Sequence, residues 1–268
     1  MSLRHQTRSL LTQAASSRKA SVASIDYRIL AGLPHFLPKE NFDRISTWQS
    51  GLWDRLLSEV QTNPDLMAVR EKWDKSSVNV LDLLTESARE PSQTLAFNYA
   101  SLLLNNSFFL EGLAGEGPQQ PSLIRGEALS ELENKAMAFS EGIVGGAWLW
   151  LARTGPNPSD LDIIPTFSSG TLLVSSRQQK GRDNLPLYNQ PTLPPSSSSD
   201  PNSTSAPSAP AKKRTLERIT YPTPLAVLNL YEHAYLSDKY DVWGKKAYTR
   251  DWWRSLDWTK IEARNASV

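Results

Sequence analysis

The sequence lacks cysteine altogether and has little histidine. Its 268 residues include three histidines (His5, His35 and His233) and no cysteine. The absence of cysteine excludes disulfides, thiolate metal sites, iron–sulfur clusters and cysteine nucleophiles. With so few histidines, one of them at position 5, we do not expect a metal site built from three imidazoles.

An excess of charge of one sign and long apolar runs are also missing. The 29 lysines and arginines nearly balance 28 acidic residues, for a net charge of +1, so any contact with RNA must be local. No run approaches the ~18 apolar residues that a membrane span needs. Glycine-rich phosphate loops, nucleophile elbows and His-Glu-x-x-His helices are absent, which removes the minimum parts of nucleotide-binding, hydrolase and metalloprotease sites.

Two segments differ in composition from the rest of the chain. The first acidic residue is Asp26, and residues 1–25 combine basic and hydroxyl side chains with apolar residues at helical spacing. This composition is typical of a mitochondrial presequence, and a basic arm that binds RNA would share it. Residues 175–213 are rich in proline and serine and poor in apolar residues, which predicts a disordered surface insertion.

Hydrophobic periodicity predicts an N-terminal helical lobe over residues 30–115. A helix over 40–62 carries one apolar stripe, formed by Phe42, Ile45, Trp48, Leu52, Leu56 and Val60. A short helix is expected over 78–90. The next helix follows Pro91 with Ser92 as its N-cap and ends near Gly115, with a stripe of Leu95, Tyr99, Leu102, Asn106, Phe109 and Leu113. Two long amphipathic helices joined in this way predict an antiparallel hairpin.

The pattern changes to mixed structure over residues 120–264. Regular elements are expected as a helix over 127–143, β-like runs over 147–152, 161–167 and 224–231, and one terminal helix over 249–263. A Gly-Pro turn between the first two runs makes that pair antiparallel. Pro165 places the second run at a sheet edge or ends it there. The fold class is therefore α+β, with the second lobe interrupted by residues 175–213.

Several segments, taken together and in order, resemble the iron/manganese superoxide dismutase family. Residues 229–235, Asn-Leu-Tyr-Glu-His-Ala-Tyr, resemble that family's Asp-x-Trp-Glu-His-Ala-Tyr signature at the end of its third strand. The other matches are Leu-Pro at 33–34, Phe-Asn-Tyr-Ala at 97–100, Leu-Asn-Asn-Ser-Phe-Phe at 104–109, Gly-Gly-Ala-Trp-Leu-Trp-Leu at 145–151 and the aromatic end at 249–261. The resemblance implies a helical hairpin followed by an α/β lobe with a small three-stranded antiparallel sheet.

The resemblance also implies where a metal ion would be held. The family binds one Mn or Fe ion through three histidines and one aspartate, and the matching positions here are Arg44, Asn106, Asn229 and His233. The family's active-site tyrosine falls at Leu52, and its glutamine at Leu102 or near Ser169. One imidazole with neutral amides suits a hard cation poorly, so we expect no metal cofactor and no enzyme activity. If Arg44 points into the former metal site, its guanidinium replaces the ion's charge, and the two asparagines could hydrogen-bond it and the histidine.

The same resemblance implies a partner surface. In the family, the glutamate of the Glu-His-Ala-Tyr motif reaches across a two-fold interface to a ligand histidine of the other subunit, and Glu232 and His233 keep that pair. Trp48 and Leu236 stand where the family pairs a histidine with a tyrosine across subunits, which favours a heterodimer with a related chain. The alternative is that His233 is a satisfied core histidine and Glu232 a solvated carboxylate.

Small basic clusters are candidates for limited contact with RNA. They are Lys212, Lys213 and Arg214 in the insertion, and Lys245, Lys246, Arg250 and Arg254 near the C-terminus. Such clusters suit phosphates, although short charge runs are usually only solvated. Trp252, Trp253 and Trp258 could stack on bases, but we expect most of them in the core.

Together these features resemble the dismutase-fold proteins of the small subunit of fungal mitochondrial ribosomes. The resemblance implies a structural, non-catalytic component in the mitochondrial matrix that pairs with a related subunit and contacts other small-subunit proteins. Two alternatives stay open: an active mitochondrial iron/manganese superoxide dismutase, and a free mitochondrial protein-binding dimer.

Overall fold

The computed structural model of the protein describes residues 27–75, 79–115, 117, 119, 121–122, 126–180 and 222–267, without the side chains of 73–75. The predicted presequence and residues 181–213 of the predicted insertion lie outside these ranges. The helices are α1 (Tyr27–Leu30), α2 (Lys39–Thr62), α3 (Met67–Lys75), α4 (Val80–Ser87), α5 (Thr94–Glu111), α6 (Glu127–Gly142), α7 (Glu232–Tyr235), α8 (Lys245–Arg254) and α9 (Trp258–Ala266). The strands are β1 (Ala147–Arg153), β2 (Leu161–Phe167) and β3 (Thr223–Asn229).

Helices α2 and α5 form the antiparallel hairpin that the periodicity predicts. Near the middle of α2, Gln49 Nε2 donates to Ser107 Oγ at 3.1 Å, and just beyond the end of α2 Asn63 Nδ2 donates to the Ser92 carbonyl at 3.1 Å. The two helices therefore run in opposite directions. The predicted α2 stripe is buried, apart from the half-buried Trp48. Its outer half joins α4 and α5 in one hydrophobic cluster that includes Leu56, Val60, Leu84 and Phe97.

Helix α5 differs from its prediction at both ends and on its faces. Pro91–Gln93 is a 3₁₀ turn, and no side chain caps the helix at Gln93, so Ser92 is not its N-cap. The helix ends at Glu111, before Gly115. The predicted stripe is also partly wrong, because Leu95 is 51% exposed. Helix α5 packs against α2 and α4 and against β3, so it is buried on several sides and a single stripe does not describe it.

The sheet has the order β2-β1-β3, and both pairs are antiparallel. Every residue of the central strand β1 is buried, because helices cover the sheet and an uninterrupted apolar strand suits a two-sided core. Pro165 lies on the edge strand β2, as predicted, where a missing N–H costs no ladder bond on the open side. The α+β class and the three-stranded antiparallel sheet are confirmed.

The C-terminal segment forms two helices, so the single helix over 249–263 is wrong. Between α8 and α9, the backbone N–H of Asp257 donates to the Gly112 carbonyl at 2.9 Å, and Leu256 pairs as an isolated bridge with Leu113. The Asp257 side chain then accepts from the Lys260 N–H at 3.1 Å and caps α9. These bonds to the end of α5 interrupt the helix where its sequence pattern continues. Trp252, Trp253 and Trp258 are buried, which confirms their place in the core.

Candidate functional site

Three side-chain amides meet where α2, α5 and β3 converge. Asn106 Nδ2 donates to Gln49 Oε1 at 2.6 Å, and Asn229 Nδ2 donates to Asn106 Oδ1 at 3.2 Å. Gln49 Nε2 donates in turn to Ser107 Oγ at 3.1 Å. The chain of bonds ends at Asn229 Oδ1, which accepts from the Tyr231 N–H at 3.0 Å. We call Gln49, Asn106 and Asn229 the amide cluster.

The amide cluster lies in the protein interior. Gln49 is 7% exposed, and Asn106 and Asn229 are fully buried. A buried amide without partners costs a few kcal/mol, and here each amide oxygen accepts a hydrogen bond from a neighbour. The cluster therefore joins two helices and a strand through bonds that satisfy one another.

The donor chemistry of the amide cluster does not fit the Mn or Fe ion that the resemblance to the iron/manganese superoxide dismutases implies. Its side chains are neutral, and their oxygens are already engaged as acceptors. In the described part of the chain, no group of three or more His, Asp or Glu side chains is placed to hold a metal ion. A hard cation needs several anionic or imidazole donors in a closed shell. We therefore derive no metal chemistry for this site.

The structure contradicts the predicted position of Arg44 in this site and shows that Gln49, which was not predicted, belongs to it. Arg44 is exposed and donates from Nη1 to the Leu236 carbonyl at 3.0 Å, so its guanidinium does not take the place of a metal ion. Gln49 occupies the interior instead. It follows Ile45 by four residues and precedes Leu52 by three, and this spacing on the apolar stripe is the signal that could have found it.

The two asparagines also bond differently from the hypothesis. They bond each other and Gln49, and not Arg44 or His233. The Nε2 atom of His233 is buried and has no hydrogen-bond partner among the described residues. Asn106, Asn229 and the missed Gln49 thus form one unit, and His233 belongs to the neighbouring surface.

His233 belongs to a group of rings that pack against one another at tilted angles beside α2. Its imidazole lies 4.2 Å from the Trp48 ring and 5.5 Å from the Tyr231 ring, measured between centroids. All three side chains are half-buried, as is Leu236, and Glu232 beside them is exposed. We call Trp48, Tyr231, His233 and Leu236 the aromatic face. The Tyr231 ring packs on Trp148 at 5.6 Å, and its hydroxyl donates to the Ser168 carbonyl at 2.8 Å.

The electrostatics of the aromatic face keep its rings neutral. Burial lowers the pKa of His233 from 6.5 to about 4, while Glu232 raises it and Arg44 lowers it further. Burial, with a smaller contribution from Glu232, raises the pKa of Tyr231 to about 12, and its hydrogen bond with Trp148 opposes that rise. At neutral pH the face is therefore an uncharged aromatic surface with Glu232 at its rim.

The lowered pKa of His233 predicts a pH dependence of stability. Because the unfolded chain protonates this histidine near pH 6.5 and the folded chain near pH 4, the stabilisation is complete above pH 6.5 and is lost as the pH falls towards 4. We expect the free energy of unfolding to decrease across that window, and His233→Gln to flatten the decrease. Denaturant titrations at a series of pH values measure this, with His35→Gln at an exposed position as the control. An unchanged slope in His233→Gln would contradict the assignment.

The predicted RNA-contact residues are placed unequally. Lys212, Lys213 and Arg214 lie outside the described residues. Lys245 is 8% exposed, and its Nζ donates to the carbonyls of Ile143 and Gly145 at 2.9 and 3.1 Å, so its predicted role in RNA contact is wrong. Arg254 is exposed, and the remaining two are ion-paired: Lys246 with Glu141 at 3.2 Å and Arg250 with Asp251 at 3.6 Å.

Comparisons with known proteins agree with the architecture. Residues 201–264 match the family model for the C-terminal domain of iron/manganese superoxide dismutases. The chain is 27% identical over 198 residues to small ribosomal subunit protein mS42 of Schizosaccharomyces pombe, over 68% of this chain and 72% of that protein. It is 24% identical over 202 residues to small ribosomal subunit protein mS43 of the same organism, over 69% of this chain and 66% of that protein.

The helices that the structure describes include none that is long and apolar enough to cross a bilayer. The helical hairpin, the three-stranded antiparallel sheet and the matched C-terminal segment agree with one another. The chain thus has an α+β fold whose C-terminal segment matches the family model for iron/manganese superoxide dismutases, and its sequence is similar to two small ribosomal subunit proteins.

Proposed function

We propose that this chain is a structural, non-catalytic component of the small subunit of the mitochondrial ribosome, located in the mitochondrial matrix. The observation that carries the proposal is the amide cluster, because neutral amides that hydrogen-bond one another lie in the interior of a dismutase-like fold. The similarity to proteins mS42 and mS43 supports the ribosome as the setting. The presequence-like composition of residues 1–25 is consistent with import.

We also propose that the chain pairs with a related dismutase-like subunit through the aromatic face. The face presents half-buried rings with a carboxylate at the rim, and aromatic anchors with a charged edge are typical of specific interfaces. Arg44 and Glu232 lie beside it with opposite charges. The face differs from a self-complementary surface of the family because Trp48 and Leu236 replace the paired histidine and tyrosine, which favours a partner of different sequence.

Replacing Glu232 tests the pairing directly. We expect Glu232→Ala to weaken association with the related chain roughly 10-fold, since it removes a charge at the interface, and to leave the monomer folded because the side chain is exposed. Co-expression of the two chains followed by a quantitative pull-down measures this. Glu131→Ala, at an exposed position of α6, is the matched control. If both variants recover the same amount of partner, the proposed interface is contradicted.

Contact with ribosomal RNA is limited in this proposal. Among the predicted RNA-contact residues that the structure describes, Lys246, Arg250 and Arg254 are exposed. Two of them already pair with acids, and a balanced net charge of +1 gives little long-range attraction for phosphate. Most of the binding is therefore expected to come from other small-subunit proteins.

Sedimentation of mitochondrial extracts on sucrose gradients, read by mass spectrometry, tests the proposed function. A structural component travels with the small-subunit peak and leaves it only when the particles are disrupted. A free protein-binding dimer would instead sediment near the top of the gradient with its partner. That result, with the small-subunit peak devoid of this chain, would refute the ribosomal role.

A further inference from the structure

A tryptophan stands almost fully in solvent on the turn that precedes α8. Trp243 is 90% exposed, its neighbour Val242 is 60% exposed, and Val144, two residues beyond the end of α6, is 94% exposed. Soluble proteins seldom leave so large a side chain bare without a use for it, and clustered apolar exposure marks interaction sites. We call Val144, Val242 and Trp243 the Trp243 patch. It shares no residue with the aromatic face.

The turn that carries Trp243 is held firmly. The Trp243 N–H donates to Asp241 Oδ1 at 2.9 Å, and the Gly244 N–H donates to the Asp241 carbonyl at 3.0 Å. Just before the turn, the hydroxyl of the buried Tyr240 bonds the Phe36 carbonyl at 3.0 Å and Asp251 Oδ2 at 2.8 Å. Because these bonds fix the backbone in advance, the turn that carries the indole loses little conformational freedom on binding.

Lys245 links the two sides of the patch. Its Nζ donates to the carbonyls of Ile143 and Gly145, the residues on either side of Val144, while its backbone follows Trp243 by two positions. The buried lysine thereby fixes the end of α6 beside the start of α8. The backbone that carries the three apolar side chains is therefore ordered before a partner binds.

The charges around the patch indicate the chemistry of its partner. The nearby cations already have partners on the protein: Lys239 with Asp251 at 2.9 Å, Lys246 with Glu141 at 3.2 Å, Arg250 with Asp251 at 3.6 Å, and Lys245 with the two carbonyls. Asp241 is exposed, and its Oδ1 accepts from the Trp243 N–H at 2.9 Å. A phosphate backbone would meet carboxylates and committed cations here, which opposes RNA binding. An apolar pocket with a basic rim complements the patch.

We propose that the Trp243 patch is a second protein-docking surface, which inserts the indole of Trp243 into an apolar pocket with a basic rim on another small-subunit protein. The inference rests on the proposed ribosomal function and adds to it a contact separate from the paired face. A tryptophan at the centre of an interface commonly supplies much of its binding energy.

Competitive incorporation and site-specific crosslinking test this proposal on assembled small subunits. Cells express the full wild-type chain and a W243A chain at equal levels, and mass spectrometry gives their ratio in purified small subunits. We expect W243A to fall to roughly one tenth of wild type, since a tryptophan anchor is lost. Y27A, at an aromatic position 79% exposed on α1, is the matched control and is expected to keep a ratio near one. In parallel, p-benzoylphenylalanine at position 243 should crosslink to residues of one small-subunit protein.

The outcomes separate this proposal from the function on which it rests. If wild-type chain is absent from small subunits, the ribosomal role fails and this proposal fails with it. If wild-type chain is present but position 243 crosslinks to RNA, or W243A is incorporated as well as wild type, the docking surface is overturned while the ribosomal role stands. A protein crosslink together with the loss of W243A is the result that supports it.

Discussion

Asn106→Ala is expected to lower the free energy of unfolding by about 4 kcal/mol, because two buried groups lose their partners at once. Gln49 Oε1 is left without its donor and Asn229 Nδ2 without its acceptor. Both lie in the interior, where water does not readily replace the missing bond. Urea titration followed by tryptophan fluorescence measures the change.

Two controls make this result specific to the amide cluster. Asn157→Ala removes an exposed amide that bonds Asp160 in a turn, and we expect it to cost less than about 1 kcal/mol. A double-mutant cycle between Asn106→Ala and Gln49→Ala should show a coupling of more than about 1 kcal/mol, as expected for residues in one network. Additive effects in that cycle would mean that the two amides do not act as one unit.

Gly146→Ala is expected to destabilise the protein by about 3 kcal/mol and to disturb the aromatic face as well. A methyl group at this position would overlap the Cδ1 and Cε1 atoms of the Tyr231 ring, so either the ring or the strand must move. Moving the ring breaks its hydroxyl bond to the Ser168 carbonyl and its packing on Trp148. The proposed pairing with a related chain should therefore weaken in the same variant.

Gly142 offers a control of opposite expected sign. It is the last residue of α6, its φ is ordinary, and an added Cβ would meet no atom within 4 Å. Gly142→Ala is therefore expected to be neutral or to stabilise by up to about 1 kcal/mol through helix propensity. Thermal and urea unfolding of the two variants compare them directly. If Gly146→Ala proves as harmless as Gly142→Ala, the tight contact with Tyr231 is not a constraint on the fold.

The hairpin and sheet could be predicted because their signals are local. The stripe from Phe42 to Val60 needs only helical periodicity, and the β-like runs need only their apolar residues and the turn between them. The break between α8 and α9 could not be predicted in this way. It depends on bonds from Leu256 and Asp257 to the end of α5, more than a hundred residues away in sequence.

The site was predicted only in part for a similar reason. Asn106 stands out as an amide on an apolar helix, but its partner depends on which face of α2 turns inward. Counting back without gaps from the family motif selected Arg44, and the helix presents Gln49 instead. Arg44 and Gln49 lie only five positions apart on α2, yet one carries a cation and the other an amide. Which of the two side chains points into the interior depends on how α2 packs on α5 and β3.

The metal content of the full chain tests most directly whether neutral amides that serve the fold occupy the positions that match the family's metal ligands. The protein would be purified from cells supplied with Mn and Fe, analysed by mass spectrometry for bound metal, and assayed for superoxide dismutation. We expect far less than one ion per chain and no turnover. One bound Mn or Fe per chain, together with dismutase activity, would contradict this expectation.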